Sequence, residues 1–516
     1  MKIIYISCFV DPWLKIAEKL RRERGYEPVY WVGYEYDNSR ALVPEAFPGI
    51  IYHPIFDAFK GIPPQGEFSS LPQAPIDIDF LRASANDEIM AMQMMDRMDP
   101  DRYSFNLMER QRHFRNLMRY WDACLDRLNP NLVVCERVPH QVFDYVLYLL
   151  CRRKGIPFLT FILTPFLGRV IPVTEISSIG GIFDAEYARN MASDLTIDDL
   201  KNTLADDIKA GMEKLRLDYG QAEPPYMKKH ILEHKKNSSL FSLSRKFLAD
   251  MLQSRREYFG RNGYLMRGIP TFFKERHKSV GESSTSVVAY ARLKLKANRF
   301  RKKLRKNYDS LAQSPDLSVP YVIFNLHYQP ELTSNPSGGI FADQRLCIDA
   351  LAKNLPGDHW IYVKEHRSQL YSHLLGQTGR TLDYYQDMLA HPRVRLMPLD
   401  GDPFELMKHS RAVATVTGTC GWEAMVMGKP VLAFGLSWYE RYPGVLRIRD
   451  EESAKKIADF IANYNYSERA LVAYLNAFQV KTIKVYSQRN WYERLKEDKT
   501  SSIQVLADCI AQWLPA

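Results

Sequence analysis

From Ala414 to Gly435 the chain reads ATVTGTCGWEAMVMGKPVLAFG, an apolar strand, a Thr-Gly-Thr-Cys-Gly turn and then a helical stretch. A strand ending at Thr417 and a helix opening near Trp422 and Glu423 would leave free amides beside two threonine hydroxyls, Thr417 and Thr419. Such a turn suits a phosphate. Gly418 and Gly421 let the backbone come close to that ligand. Glu423 falls in the first helical turn, where a carboxylate also suits any helix amino end, so an ordinary strand-to-helix turn reads the same way. The lysine of a P-loop is missing and so is the GxGxxG spacing, which argues against a nucleoside triphosphatase and a dehydrogenase.

Two more strand ends carry polar side chains. His327-Tyr328-Gln329-Pro330-Glu331 follows VIFNL and leads into LTSNPSGGIFADQ, while Lys364-Glu365-His366 follows HWIYV. Lys364 and His366 suit a phosphate or a base. His327, Gln329, Glu331, Gly338 and Gly339 are placed to frame the same site. Any one of these residues is equally well read as a satisfied core or surface group, but three polar ends in one sheet point to a ligand.

The elements that must position these residues alternate between strand and helix. KIIYISC, the amphipathic DPWLKIAEKLRRERG and EPVYWVG open a parallel αβ layer, which continues through NLVVCER, the helix QVFDYVLYLLCRRKG and PFLTFILTPF. Residues 1–220 form one expected domain, with added helices at 85–128. A second runs over 316–480 through PYVIFNLHYQP, HWIYVKEH, VRLMPL, AVATVTG and VLAFG, five short apolar strands separated by helical stretches. Helices are expected over 481–516. The fold class is therefore α/β, two Rossmann-like doubly wound domains facing a cleft, with ligands at the carboxyl ends of the strands.

A chain of 516 residues with 46% hydrophobic and 25% charged residues has enough apolar material for two or three domain cores. Between Tyr226 and Ser310 stand 22 Lys or Arg against 6 Asp or Glu, more than enough to account for the net charge of +10. This basic helical connector, 221–315, is either solvated surface or a face for anionic lipid headgroups or a pyrophosphate-linked acceptor. It holds no nucleic-acid motif, and no nucleic-acid partner is expected. No apolar run reaches the ~20 residues of a membrane span. The start of the chain reads as a buried strand, so the expected location is cytoplasmic, with the inner face of the plasma membrane as a peripheral site. Seven scattered cysteines without a CxxC pair fit reduced core thiols.

The run LHYQPELTSNPSGGIFADQ, with YVKEHR and TVTGTCGWEAMVMGKPVLAFG, resembles the capsule polysaccharide biosynthesis proteins. These are GT-B glycosyltransferases of bacterial surface glycans, among them Kdo and nonulosonic acid transferases with CMP-linked donors. The resemblance spans 320–440, is thinner at CERVPHQVFDYVLY, and does not reach the basic segment. It implies that His366 contacts the nucleotide phosphate, that Thr417, Gly418 and Thr419 hold the same phosphate, and that Glu423 meets the ribose hydroxyls. Gln329 and Pro330 match a QP motif, whereas Arg367 replaces the usual Pro after His366.

Such chemistry needs stabilisation of an oxocarbenium-like centre and of the departing phosphate, and often a carboxylate base or nucleophile. Glu136, at a strand end, and His140 are the candidates, with Asp144 spaced i, i+4 from His140 on one helix face. The alternative is that Glu136 pairs with Arg137 and Asp144 only orients His140. Asp77-Ile78-Asp79 has the form of a metal-binding DxD, but follows LPQAP rather than a long strand. No metal and no organic cofactor is expected. The partners are a nucleotide-sugar donor and a glycan or lipid-linked acceptor. A UDP-sugar transferase, an epimerase of the same fold and a non-catalytic nucleotide-binding scaffold remain alternatives.

Overall fold

The computed structural model describes residues 1–34, 37–71, 75–217, 264–282, 284–487 and 499–514. Strands β1 (Lys2–Ile6), β2 (Glu27–Gly33), β3 (Ile51–Pro54), β4 (Leu132–Cys135), β5 (Phe158–Leu163) and β6 (Arg169–Val173) build the first sheet in the order β6-β5-β4-β1-β2-β3. It is parallel from β3 to β5 and antiparallel at β6. Two-residue strands β7 (Ile269–Pro270) and β8 (Ser284–Thr285) form a small sheet by themselves. The second sheet holds β9 (Tyr321–Asn325), β10 (Trp360–Lys364), β11 (Val394–Leu396), β12 (Ala412–Thr415), β13 (Val431–Ala433) and β14 (Val445–Arg447). Its order is β11-β10-β9-β12-β13-β14, parallel throughout. Finally β15 (Ile483–Lys484) extends the first sheet, antiparallel to β6.

The strand sequences account for this packing. Ile3, Ile4, Tyr5 and Ile6 of β1 and Tyr321, Val322, Ile323 and Phe324 of β9 are fully buried, as continuous apolar strands are when helices cover both faces of a parallel sheet. The helix Val10–Arg24 buries Trp13, Ile16, Ala17 and Leu20, spaced for one face, and stops at Gly25 with φ 67°. Helix Lys499–Ala511 packs on it.

Each sheet reverses its direction of growth once, between β1 and β4 in the first and between β9 and β12 in the second. A crevice outside the carboxyl ends of such a strand pair is where an open α/β sheet takes ligands. Glu136 directly follows β4, and His327 and Thr417 each lie two residues beyond β9 and β12.

Three features differ from the sequence expectation. β12 ends at Thr415, and the next helix, Thr419–Val426, starts three residues before Trp422, so Gly421 lies inside a helix. A sixth strand, β14, follows the five expected. The basic segment is shared between two compact units: Met1–Ser178 with Pro270–Thr285 and Lys481–Ala516, and Ile179–Ile269 with Ser286–Val480. These bounds differ from a consecutive division at 220, 315 and 480. In the first unit Phe272 stacks on Phe59 at 4.9 Å and buried Lys274 donates to the Ser104 carbonyl. In the second, helix Val287–Leu311 sends Leu304 and Tyr308 into the core beside Val322, Phe324 and Ile361. Residues 226–263, the remainder of the basic segment considered for lipid headgroups, lie outside the described residues. Among the described residues no helix is long and apolar enough to cross a membrane.

Candidate functional site

In the second unit the chain leaves β9 and β12 side by side, and His327 ties the two exits together. Its Nε2 accepts the Thr417 amide proton at 3.1 Å and lies 3.1 Å from the Thr415 hydroxyl. An amide can only donate, so Nε2 is unprotonated and the neutral ring carries its proton on Nδ1. Burial pushes the imidazole pKa down to about 3, with His366 and Arg380 adding to the shift. The ring is therefore a fixed neutral donor at Nδ1 across the physiological range.

The turn itself is held from three sides. The Gly418 amide donates to Thr415 Oγ1 at 3.0 Å, Tyr439 Oη donates to the Gly418 carbonyl at 2.5 Å, and Thr417 Oγ1 donates to the Thr333 carbonyl at 2.6 Å. Thr417 thus spends its hydroxyl proton on the 331–339 loop and keeps only acceptor capacity. Thr419 and Cys420 begin the helix, and no side chain caps it at Gly418, so their amides are first-turn donors without an intrahelical partner. Gly421 packs closely against Tyr439. A Cβ there would lie 2.5 Å from Tyr439 Cζ and 2.6 Å from Cε2, so the glycine makes room for the tyrosine that locks the turn. A Cβ on Gly418 would crowd Thr415 Oγ1 at 2.8 Å and His327 Nε2 at 3.3 Å. Glu423 lies in the second turn, buried, and burial raises its pKa to about 7 against a hydrogen bond from Thr419.

Several residues expected at the ligand instead build the wall behind it. Gln329 uses all its polar groups internally: its amide N–H donates to Gln369 Oε1, its Nε2 to the Ala342 carbonyl, and its Oε1 accepts from Gln344 and Arg380. Lys364 is buried and donates to the Leu399 carbonyl at 2.7 Å; burial lowers its pKa to about 8. Glu331 accepts from the Thr333 hydroxyl at 3.1 Å, which shapes the loop. A Cβ on Gly338 would strike the Ser334 carbonyl, whereas Gly339 is exposed with φ 56° and open space around it. His366 is half-buried, its Nδ1 accepting the Ser368 amide at 3.2 Å, with its ring 6.3 Å from that of Tyr328.

Sequence reasoning missed the residue that holds this wall together. Arg380, fully buried, donates to both Glu365 oxygens at 2.8 and 3.1 Å, to Gln329 Oε1 at 2.6 Å and to the His327 carbonyl at 2.8 Å. Tyr385 adds a hydrogen bond to Glu365 at 2.7 Å. Nothing near Arg380 in the sequence marks it. Tyr439 was findable, because it follows a strand end, β13, as His327 does.

In the first unit Glu136 stands at the corresponding point of its sheet, fully buried. Its Oε2 accepts the Phe9 amide at 3.0 Å from the loop after β1, and its Oε1 accepts from Arg137 at 2.9 Å. Burial raises its pKa to about 7, with Arg137 opposing the shift. The Arg137 guanidinium lies over the Phe9 ring at 5.9 Å. His140 and Asp144 do not share a helix face, because the helix begins at Phe143. His140 Nδ1 donates to the Val138 carbonyl at 2.6 Å, and burial holds the ring neutral, with Arg97 and Arg137 adding to the shift. Asp144 accepts the Gln141 amide at 2.6 Å, fixing the helix entry, and burial raises its pKa to about 6. Asp77 of the DxD caps helix Ile78–Ala83 through the Asp79 and Phe80 amides and pairs with Arg153. Among the described residues no group of three His, Cys, Asp or Glu is arranged to hold a metal.

Two doubly wound sheets, each with polar residues at its point of reversal, define the class: an α/β protein of two Rossmann-like domains. Residues 334–482 match the family model "Capsule polysaccharide biosynthesis protein", which identifies that segment, with the turn, His366 and Arg380, as capsule-synthesis-like. The "Capsule polysaccharide modification protein LipA" of Neisseria meningitidis serogroup B (strain ATCC BAA-335 / MC58) is 32% identical over 106 residues, 19% of this chain and 14% of that protein. Its counterpart from serogroup A / serotype 4A (strain DSM 15465 / Z2491) is 34% identical over 90 residues, 17% and 12% of the respective lengths. The chain therefore matches only about one seventh of these curated relatives. Among solved structures, the Thermosulfurimonas dismutans KpsC beta Kdo 2,7 transferase is similar at TM-score 0.24 and 15% identity, over 41% of this chain and 62% of that one. The UDP-GlcNAc 2-epimerase from Methanocaldococcus jannaschii is similar at TM-score 0.25 and 10% identity, over 93% and 99%. The two-domain α/β fold follows from the strand order of the two sheets.

Proposed function

We propose that the chain is a glycosyltransferase of capsule-type polysaccharide synthesis. It moves an acidic sugar of the Kdo or nonulosonic class from a CMP-linked donor to a glycan or lipid-linked acceptor, using neither metal nor organic cofactor. The observation that carries this reading is the turn at the second sheet's point of reversal. There the Thr419 and Cys420 amides are open first-turn donors, and the neutral His327 fixes the turn by accepting the Thr417 amide, within and beside the family-matched segment. Fixed N–H donors of this kind stabilise a departing phosphate without reorganising. In this reading His366 supports the phosphate and Glu423 takes the ribose hydroxyls, while Gln329, Glu331, Lys364 and Gly338 hold the site in shape.

In the transfer, an acceptor oxygen bonds to the anomeric carbon as the bond from that carbon to the phosphate oxygen breaks, and CMP leaves. Glu136, with a pKa of about 7, takes the acceptor proton. His140 and Asp144 shape the loop that carries Glu136. A thermal-shift series with CMP, UDP and GDP tests the donor class, because a bound nucleotide stabilises the fold by mass action. Stabilisation by CMP alone supports the proposal; stabilisation by UDP or GDP without CMP overturns the donor assignment. Loss of all transfer in Glu136→Gln is expected, and unchanged transfer would remove Glu136 from the mechanism.

A further inference from the structure

Helix Val287–Leu311 turns Ala297, Asn298, Arg301, Leu304 and Tyr308 inward. Leu304 and Tyr308 fill the core, but Arg301 brings a guanidinium that is 4% exposed. Among the described residues no carboxylate pairs with it. Its Nη2 donates to the Leu374 carbonyl at 3.3 Å and to Gln377 Oε1 at 3.1 Å, its Nη1 reaches Asn298 Oδ1 only at 3.5 Å, and its Nε has no partner. Asn298 and Gln377 are 5% and 1% exposed, and both present their oxygens to the arginine, leaving Asn298 Nδ2 and Gln377 Nε2 without an acceptor. Three deeply buried side chains thus offer hydrogen-bond donors that no described residue satisfies, around a positive charge that no described residue neutralises.

Buried charges are normally paired, and buried donors are normally bonded. A water molecule would satisfy a donor but would leave the charge in place. We infer that the Arg301, Asn298 and Gln377 cluster is a binding site for a compact oxyanion, a carboxylate or a phosphate. Burial pushes the guanidinium pKa down to about 10, the mark of a cation lacking its counterion. The cluster also lies on the ligand side of the second sheet. Gln377 belongs to the segment after β10, and the neighbouring Leu375 amide donates at 3.1 Å to the hydroxyl of Tyr328, three residues beyond β9. The identity of the ligand rests on the proposed function. Two parts of a CMP-linked acidic sugar have this chemistry, the sugar carboxylate and the nucleotide phosphate.

Binding of inorganic phosphate, CMP and CMP-Kdo to wild type, Arg301→Met and Gln377→Glu, followed by thermal shift and calorimetry, tests the site. If the sugar carboxylate is the anion, wild type binds CMP-Kdo more tightly than CMP. Arg301→Met then erases that difference, weakening CMP-Kdo roughly tenfold or more while sparing CMP. If the phosphate is the anion, Arg301→Met weakens CMP and inorganic phosphate by a similar factor. Gln377→Glu supplies a built-in counterion, so it raises the melting temperature of the ligand-free protein and abolishes stabilisation by the same anion; it carries the test if Arg301→Met does not fold. Equal anion responses in wild type and both variants overturn the inference. Failure of wild type to bind CMP or CMP-Kdo would defeat the proposed function, but the phosphate titration still decides the anion site. Stabilisation of wild type and not of Gln377→Glu upholds it, and equal stabilisation overturns it.

Discussion

Gly421→Ala separates two accounts of the same glycine. If Gly421 exists so that the backbone can approach a phosphate, the methyl group blocks the ligand whatever Tyr439 does. If it exists to seat Tyr439, the methyl must displace that ring. The added carbon would lie 2.5 Å from Tyr439 Cζ, so the ring has to withdraw by about 1 Å to reach normal contact. Overpacking of this kind costs about 1–3 kcal/mol. Loss of the Tyr439 hydrogen bond to the Gly418 carbonyl adds about 1 kcal/mol, and the better helix propensity of alanine returns up to about 1 kcal/mol. The net loss of about 1–4 kcal/mol corresponds to a melting temperature lower by roughly 2–7 °C for a unit of this size. Nucleotide affinity should fall with it, because the turn loses its lock. The double variant Gly421→Ala/Tyr439→Leu removes most of the overlap and should recover much of the stability. Differential scanning calorimetry and nucleotide titration of the three proteins are the assays. A Gly421→Ala protein as stable as wild type, or a double variant that recovers nothing, would refute the steric account.

Glu136→Gln should retain nucleotide affinity while losing transfer, read by direct binding alongside CMP release. In wild type the base must be ionised, so transfer should decline as pH falls through about 7 and level off above it. Glu423 has a folded pKa of about 7 against an ordinary 4.5, so its contribution to stability is complete below about 4.5 and is lost as pH rises through about 7. Glu423→Gln should therefore be more stable than wild type at pH 8, by up to about 3 kcal/mol, with the gap closing at pH 5; a pH-independent difference in melting temperature would count against a buried carboxyl there. Arg380→Met strands the Glu365 carboxylate in the core and should cost about 3–5 kcal/mol, visible as a lowered melting temperature and weaker nucleotide binding.

The sheets were legible because their strands are short, mostly apolar runs such as KIIYI and YVIFN, bounded by polar residues at the carboxyl ends. β14 escaped because VLR is three residues long and only its valine is buried. The helix start at Thr419 was hidden by the glycines, which read as turn residues until Tyr439 is seen filling the space at Gly421. Proximity to a strand end singled out His327 and His366, but it did not distinguish a ligand-facing group from a buried brace. Gln329 looks like a ligand in sequence, whereas its partners Gln344, Gln369 and Arg380 come from positions 15, 40 and 51 residues away. Charge counting has the same limit along the basic helix. Counting charges cannot tell that Arg301 points inward while its neighbours Lys302 and Lys303 are exposed.

If the turn after β12, with His327, holds the phosphate of a cytidine nucleotide, bound CMP must protect the backbone there. Amide hydrogen exchange with and without saturating CMP addresses it directly. Exchange over 415–421 and 326–328 should slow when CMP is bound, whereas CMP binding with exchange unchanged in both segments would contradict that placement of the phosphate.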